Sequence, residues 1–232
     1  MTDLPMSAKI AIVTGGAAGS LGRATAVALA GRGLTVVVVD RNEQALRELP
    51  DGIRREAGDP TDPATAKSLI DRIAAEVGPP DVLVNTVGAF QPGDALSTTP
   101  EVLRVMVDVN LGAALWLSQA VAPHMQRRGS GAIVHVAARP GMEPAAGMAA
   151  YSVSKAALSY LTRILDVELR PHGIRVNAVA PQLIDTAANR AAFPAEALAH
   201  AVAPEAIAGV IAFLVSDAAA PVSGAVLPAY GA

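Results

Sequence analysis

Tyr151 and Lys155 stand four residues apart in the segment AAYSVSKAALSYLTRILDVEL, where Leu158, Leu161, Leu165 and Leu169 recur at helical spacing. Both side chains therefore project from one helical face. A phenol titrates at about 10, and a neighbouring cation favours its phenolate; lowering that pKa by about three units requires roughly 4 kcal/mol of differential stabilisation. A tyrosine tuned in this way gives or takes a proton near neutral pH. An ordinary amphipathic helix can carry the same two residues, so the pair acquires its meaning from the rest of the chain.

Near the amino terminus, Lys9-Ile10-Ala11-Ile12-Val13-Thr14 reads as a buried strand that runs into Gly15-Gly16-Ala17-Ala18-Gly19-Ser20-Leu21-Gly22 and then into a helix beginning near Arg23. Strand, glycine turn and helix form a dinucleotide cradle, in which glycines admit the pyrophosphate and the helix start offers unpaired N–H groups to it. Gly16, Gly19, Ser20, Leu21 and Gly22 are its candidate contacts. The next strand, Leu34 to Val39, ends at Asp40, where a carboxylate can accept from the adenosine ribose hydroxyls. That favours NAD(H); Arg41 beside it could pair with a 2′-phosphate and keeps NADP(H) possible.

With both motifs in place, the chain resembles the short-chain dehydrogenase/reductase family along nearly its whole length. The resemblance implies that Asp59 contacts the adenine, that Asn85 and Gly88 form a strand end beside the cofactor, and that Asn110 serves a structural and proton-relay role. It also implies that Pro181, Ile184 and Thr186 border the nicotinamide, with Gln182 where the family usually has glycine. Thr86 and Val87 depart from the family pattern. Two further departures are larger. The glycines read Gly15-x3-Gly19-x2-Gly22, one residue longer than the common spacing, and Ala138 stands where the family's serine holds the substrate oxygen, with Ala137 equally unable to supply a hydroxyl. A branch similar to dihydropteridine reductases shares both departures and a DTxxNR run, here Asp185-Thr186-Ala187-Ala188-Asn189-Arg190. The expected activity is NAD(P)H-dependent reduction of a conjugated C=N or C=O, pterin-like or quinone-like, with Tyr151, Lys155 and Asn110 as the catalytic group. A non-redox cyclase or isomerase using Tyr151 as acid/base, and a catalytically silent nucleotide-binding protein, are the alternatives.

The elements that must position these residues alternate. Strands are expected near 9–14, 34–39, 53–57, 81–85, 131–137, 173–179 and 223–228, and helices near 20–32, 42–48, 62–77, 100–127, 150–170 and 204–216. This predicts an α/β fold of Rossmann type, a doubly wound, mostly parallel seven-stranded sheet with helices on both faces. One domain over 1–232 is the simplest organisation, with a substrate lid at 182–203. Arg139 and Glu143, in the loop after Ala138, are candidate substrate contacts, and Arg139 could supply the donor that the missing serine does not.

Eighteen basic and twenty-one acidic residues give a net charge of −3, and no basic stripe is present, so neither nucleic acid nor an anionic membrane is an expected partner. No apolar run of membrane-spanning length stands out. The absence of cysteine excludes disulfides and thiolate metal sites and suits a cytoplasmic location. The four histidines lack metal-ligand spacing, so no metal is expected. Family resemblance implies a homodimer or homotetramer formed through helices 100–127 and 150–170.

Overall fold

The computed structural model describes residues 9–17 and 19–231. Seven strands form one all-parallel sheet: β1 (Ile10–Thr14), β2 (Thr35–Asp40), β3 (Arg54–Ala57), β4 (Val82–Asn85), β5 (Gly131–Val136), β6 (Ile174–Pro181) and β7 (Val226–Ala229), in the order β3-β2-β1-β4-β5-β6-β7. The order reverses between β1 and β4, and ligands of open α/β sheets bind at that crevice, beyond the carboxyl ends of the strands.

The valine run of β2 explains why a continuous apolar stretch is a strand here. Val36 and Val38 pack into one core layer with Leu29, Ile207 and Ile211, while Val37 and Val39 pack into the opposite layer with Ile70, Leu117, Val121 and Leu165. Alternate side chains leave opposite faces and both faces are covered, so all four valines are buried. The first layer lies under α1 (Ser20–Ala30) and the last long helix (Pro204–Leu214), the second under α3 (Pro63–Glu76), α5 (Ala113–Arg128) and α6 (Ala149–Leu169). Short polar caps start several helices: Asn42 accepts from Ala45 N before α2 (Glu43–Arg47), Asp62 from Thr65 N before α3, and Thr99 from Val102 N before α4 (Pro100–Val107). Pro63 and Pro100 follow the latter two caps, where a missing N–H costs nothing.

Three expectations need correction. The single helix 100–127 is interrupted by a π-turn over Asp108–Gly112, which divides α4 from α5. Pro100–Arg128 is also long and apolar enough by composition to cross a membrane, contrary to the sequence reading, and its Leu117, Val121 and Met125 are buried in the core. The last strand begins three residues later than expected because side chains hold Ser223–Ala225 in a turn. Ser223 Oγ donates to the buried Asp166, Ala225 N donates to Asn177 Oδ1, and Gly224 has φ +74°. The segment 182–203 contains two short helices, α7 (Ala187–Ala192) and α8 (Ala195–Leu198), and its ends are joined by a parallel bridge between Ile184 and Val202. The helix over Pro204–Leu214 is α9.

Candidate active site

Helix α6 carries Tyr151 and Lys155 on one face, as their spacing predicts. Three of its hydroxyls bond the preceding turn, Ser154 Oγ donating to Tyr151 O, Ser159 Oγ to Lys155 O and Thr162 Oγ1 to Leu158 O, while the buried Ser152 Oγ has no partner among the described residues. Lys155 is buried, and its Nζ donates to Val136 O at the end of β5, 2.7 Å away. Burial pushes its pKa down to about 8. Burial also pushes Tyr151 up to about 12, which reverses the direction expected from a neighbouring cation. The reason is geometric: the Lys155 ammonium hydrogen-bonds a strand carbonyl, and desolvation of the phenol is left to dominate. Asn110 sits in the π-turn, fully buried. Its Oδ1 accepts from Ala89 N, and its Nδ2 donates to Ala89 O and to Ser154 Oγ. It therefore ties the segment after β4 to the helix of Tyr151, and π-turns often mark functional sites.

The glycine turn has the geometry of a cradle. Gly15 has φ +71°, and a Cβ there would meet Val87 N at 3.0 Å. Gly22 lies inside α1, where a Cβ would come within 2.3 Å of Gly16 Cα; its role is close packing of helix on turn. Gly19 occupies the N-cap of α1 with no side-chain cap, so the first N–H groups of the helix remain available to an anion. Ser20 is exposed at that helix start, whereas Leu21 is 6% exposed and belongs to the core; only its backbone can face a ligand. Asp40, at the end of β2, accepts from Ala17 N with Oδ2 and from Asn42 N with Oδ1, both at 3.0 Å. Arg41 is exposed and lies 3.7 Å from Asp59. Burial raises the Asp59 pKa, but hydrogen bonds from Thr61 and the Arg41 charge outweigh it and hold the carboxyl below its usual range. Asn85 accepts from Thr14 Oγ1 and Val87 N, and its buried Nδ2 has no partner among the described residues. A Cβ at Gly88 would fill the space beside Asn110 Oδ1 (3.0 Å) and Lys155 Nζ (3.2 Å). These residues fit a dinucleotide.

A pocket of about 550 Å³ gathers Gly88, Ala138, Arg139, Tyr151, Lys155, Pro181 and Ile184. Ala138 is 4% exposed and lines the pocket with a methyl group. Arg139 is not an idle donor: its Nε donates to Glu143 Oε2 and its Nη1 to Gln182 Oε1, both at 2.9 Å, and its guanidinium lies 4.8 Å from the Tyr230 ring centroid. Glu143 does not line the pocket; it is the partner of Arg139 and of the Tyr230 hydroxyl, whose pKa burial and the Glu143 charge push up. Thr186 likewise caps α7, accepting from Asn189 N. No group of three His, Asp or Glu side chains suited to a metal occurs among the described residues.

Sequence reasoning missed the aromatic wall. Phe90 meets Tyr151 edge-on with centroids 5.1 Å apart, and Phe193 of the 182–203 segment lies 6.4 Å from Phe90. The signal was scarcity. The chain has only three phenylalanines and three tyrosines, and Phe90, Phe193, Tyr151 and Tyr230 all stand at this site.

Comparison with known proteins agrees with this geometry. Residues 9–197 match the short chain dehydrogenase family. Cis-4-hydroxycyclohexanecarboxylate dehydrogenase of Sinomonas cyclohexanicum is 39% identical over 96% of this chain and 95% of its own. The crystal structure of NAD+-bound xylitol dehydrogenase is similar with a TM-score of 0.91 and 26% identity, covering 97% of this chain and 98% of that one. A gluconate 5-dehydrogenase from Burkholderia cenocepacia, solved with NADP and tartrate, has a TM-score of 0.89 and 28% identity over 96% and 94% of the two chains. With a parallel sheet that reverses at β1/β4, a glycine cradle, and tyrosine and lysine on one helical face, the chain belongs to the short-chain dehydrogenase/reductase family and is an NAD(P)-dependent oxidoreductase.

Proposed function

We propose that this enzyme passes hydride between NAD(H) and a cyclic substrate whose reacting carbon is a conjugated C=O or C=N, of the pterin-like or quinone-like kind anticipated from the dihydropteridine reductase resemblance. One observation carries the reading: Tyr151 supplies the only hydroxyl among the described residues lining the pocket. A simple ketone concentrates charge on one oxygen as hydride arrives and profits from two donors, whereas a conjugated acceptor spreads that charge and needs fewer. Phe90 and Phe193 provide an apolar wall suited to a flat ring. The name of the Sinomonas relative, which specifies a ring alcohol, supports a cyclic substrate as well.

The cofactor, when bound, supplies the hydride. The start of α1 and Gly16, Gly19 and Ser20 would hold its pyrophosphate, Asp40 its adenosine ribose, Lys155 its nicotinamide ribose, and Pro181 and Ile184 its nicotinamide. Tyr151 gives its proton to the reduced substrate, and Lys155 is the buried cation on the same helical face. Asn110 fixes Ala89 and Ser154 on either side of this pair. The reading includes a preference for NADH, supported by Asp40, and a lid over 182–203, supported by Phe193 reaching the wall of the pocket. A cytoplasmic homodimer or homotetramer completes it, supported by the exposed apolar side chains of Leu103 and Val105 on α4 and Val153, Tyr160, Ile164 and Val167 on α6.

The test is titration with NADH and NADPH, followed by addition of a quinonoid dihydropterin, a p-quinone or a cyclic enone. Stoichiometric NADH oxidation is expected with at least one of these acceptors. Tight NADH binding without oxidation by any of them would overturn the substrate class.

A further inference from the structure

The pocket is lined by two cations, Lys155 and Arg139, and no described Asp or Glu joins them. From this asymmetry we propose that the cyclic substrate bears a carboxylate away from its reacting carbon, and that Arg139 binds it by releasing Glu143. The location of the ring rests on the hydride-transfer reading above; the anion site is testable without turnover.

Arg139 is built for such an exchange. A guanidinium has five N–H donors in a planar fork, and Nε and Nη1 account for the bonds Arg139 makes to described residues. Gln182 Oε1 holds Nη1 from the start of the 182–203 segment, and the Tyr230 ring lies against the plane. The plane is thus fixed from two sides while the Nε edge is occupied by the exposed Glu143, which the Tyr230 hydroxyl can still hold once Arg139 lets it go. An exposed i,i+4 ion pair contributes little to stability. A substrate carboxylate can take both donors of that edge side by side, which is the stronger geometry. Glu143 in this view is a placeholder that keeps the fork aligned and excludes weaker anions.

The protein, with and without saturating NAD+, is titrated with benzoate and with benzamide by calorimetry, since the two are near-identical rings that differ in charge. Benzoate is expected to bind at least tenfold more tightly. Arg139→Gln should remove the difference, and Glu143→Gln should tighten benzoate severalfold while leaving benzamide unchanged. Equal affinities in the unmodified protein, or a preference for benzoate that survives Arg139→Gln, would overturn the proposal. Should Arg139→Gln fail to fold, Glu143→Gln decides alone, because benzoate affinity that stays level or falls overturns it. Arg139-dependent benzoate binding without oxidation of NADH by any cyclic acceptor would sink the hydride reading and leave the anion site standing; turnover with no preference for carboxylate would do the reverse.

Discussion

At the residue scale, the proposed chemistry depends on a phenol that its surroundings hold protonated. Burial pushes Tyr151 up to about 12 and Lys155 down to about 8, so at neutral pH the resting pair is a phenol and an ammonium, the state suited to donating a proton to a reduced substrate. Tyr151→Phe keeps the ring that packs on Phe90 and removes the proton. Turnover should fall by about 10²–10⁴-fold while the NADH dissociation constant moves less than twofold; rapid turnover by the variant would end the acid role. Ala138→Ser asks the complementary question. The Ala138 backbone is extended, at φ −162° and ψ 155°, which a serine adopts without strain, and the added hydroxyl should confer measurable reduction of simple cyclic ketones. A variant silent on ketones would mean that pocket shape, not the missing donor, restricts the substrates.

At the element scale, the π-turn of Asp108–Gly112 does what neither flanking helix can do: it turns Asn110 inward, where one amide closes two bonds on Ala89 and a third on Ser154. Asn110→Ala removes both side-chain bonds to the part-buried Ala89 and leaves Ser154 Oγ with its bond to Tyr151 O alone, at a cost of about 1–3 kcal/mol. A fall of several degrees in the thermal midpoint is expected, and an unchanged midpoint would show that water replaces the amide. This turn was illegible in the sequence, because VMVDVNLGAALWL has only Asp108 and Asn110 as polar residues and so weak a periodicity cannot reveal one inserted residue. The strands were legible for the opposite reason. Runs such as Val36 to Val39 have one stable use in a sheet covered on both faces, and the glycine turn and YSVSK spacing correctly place residues 15–22 at the start of α1 and Tyr151 with Lys155 on one face of α6. What could not be read were contacts between distant segments. Arg139 meeting Gln182 and Tyr230, Phe193 reaching Phe90, and Lys155 finding the Val136 carbonyl depend on packing, and the last of these reversed the expected direction of the Tyr151 pKa.

At the scale of the whole molecule, the price of bringing polar groups to the strand ends is a buried polar row in the core. Asn85 and His135 are register partners on β4 and β5, and both are buried. His135 has Ser118 Oγ 3.4 Å from Nε2, and its Nδ1 has no partner among the described residues. Burial first, and the Lys155 charge second, push its pKa from 6.5 down to about 3. Between those values the unfolded chain binds a proton that the folded protein refuses, so stability present above pH 6.5 is lost as the pH falls, by on the order of 4–5 kcal/mol at pH 3. That is a large part of the 5–15 kcal/mol typical of folded domains. Lys155 acts in the same direction at the other end: folded at about 8 against 10.5, it makes stability rise from pH 8 towards 10.5. Thermal midpoints should therefore climb from acid to alkaline pH, with two separate limbs. His135→Asn substitutes a polar group that does not titrate, so it should flatten the limb between pH 6.5 and 4 and leave the alkaline limb in place. If the acid limb of the variant is as steep as that of the parent, carboxylates paired in the folded state, and not this imidazole, set the acid sensitivity of the fold.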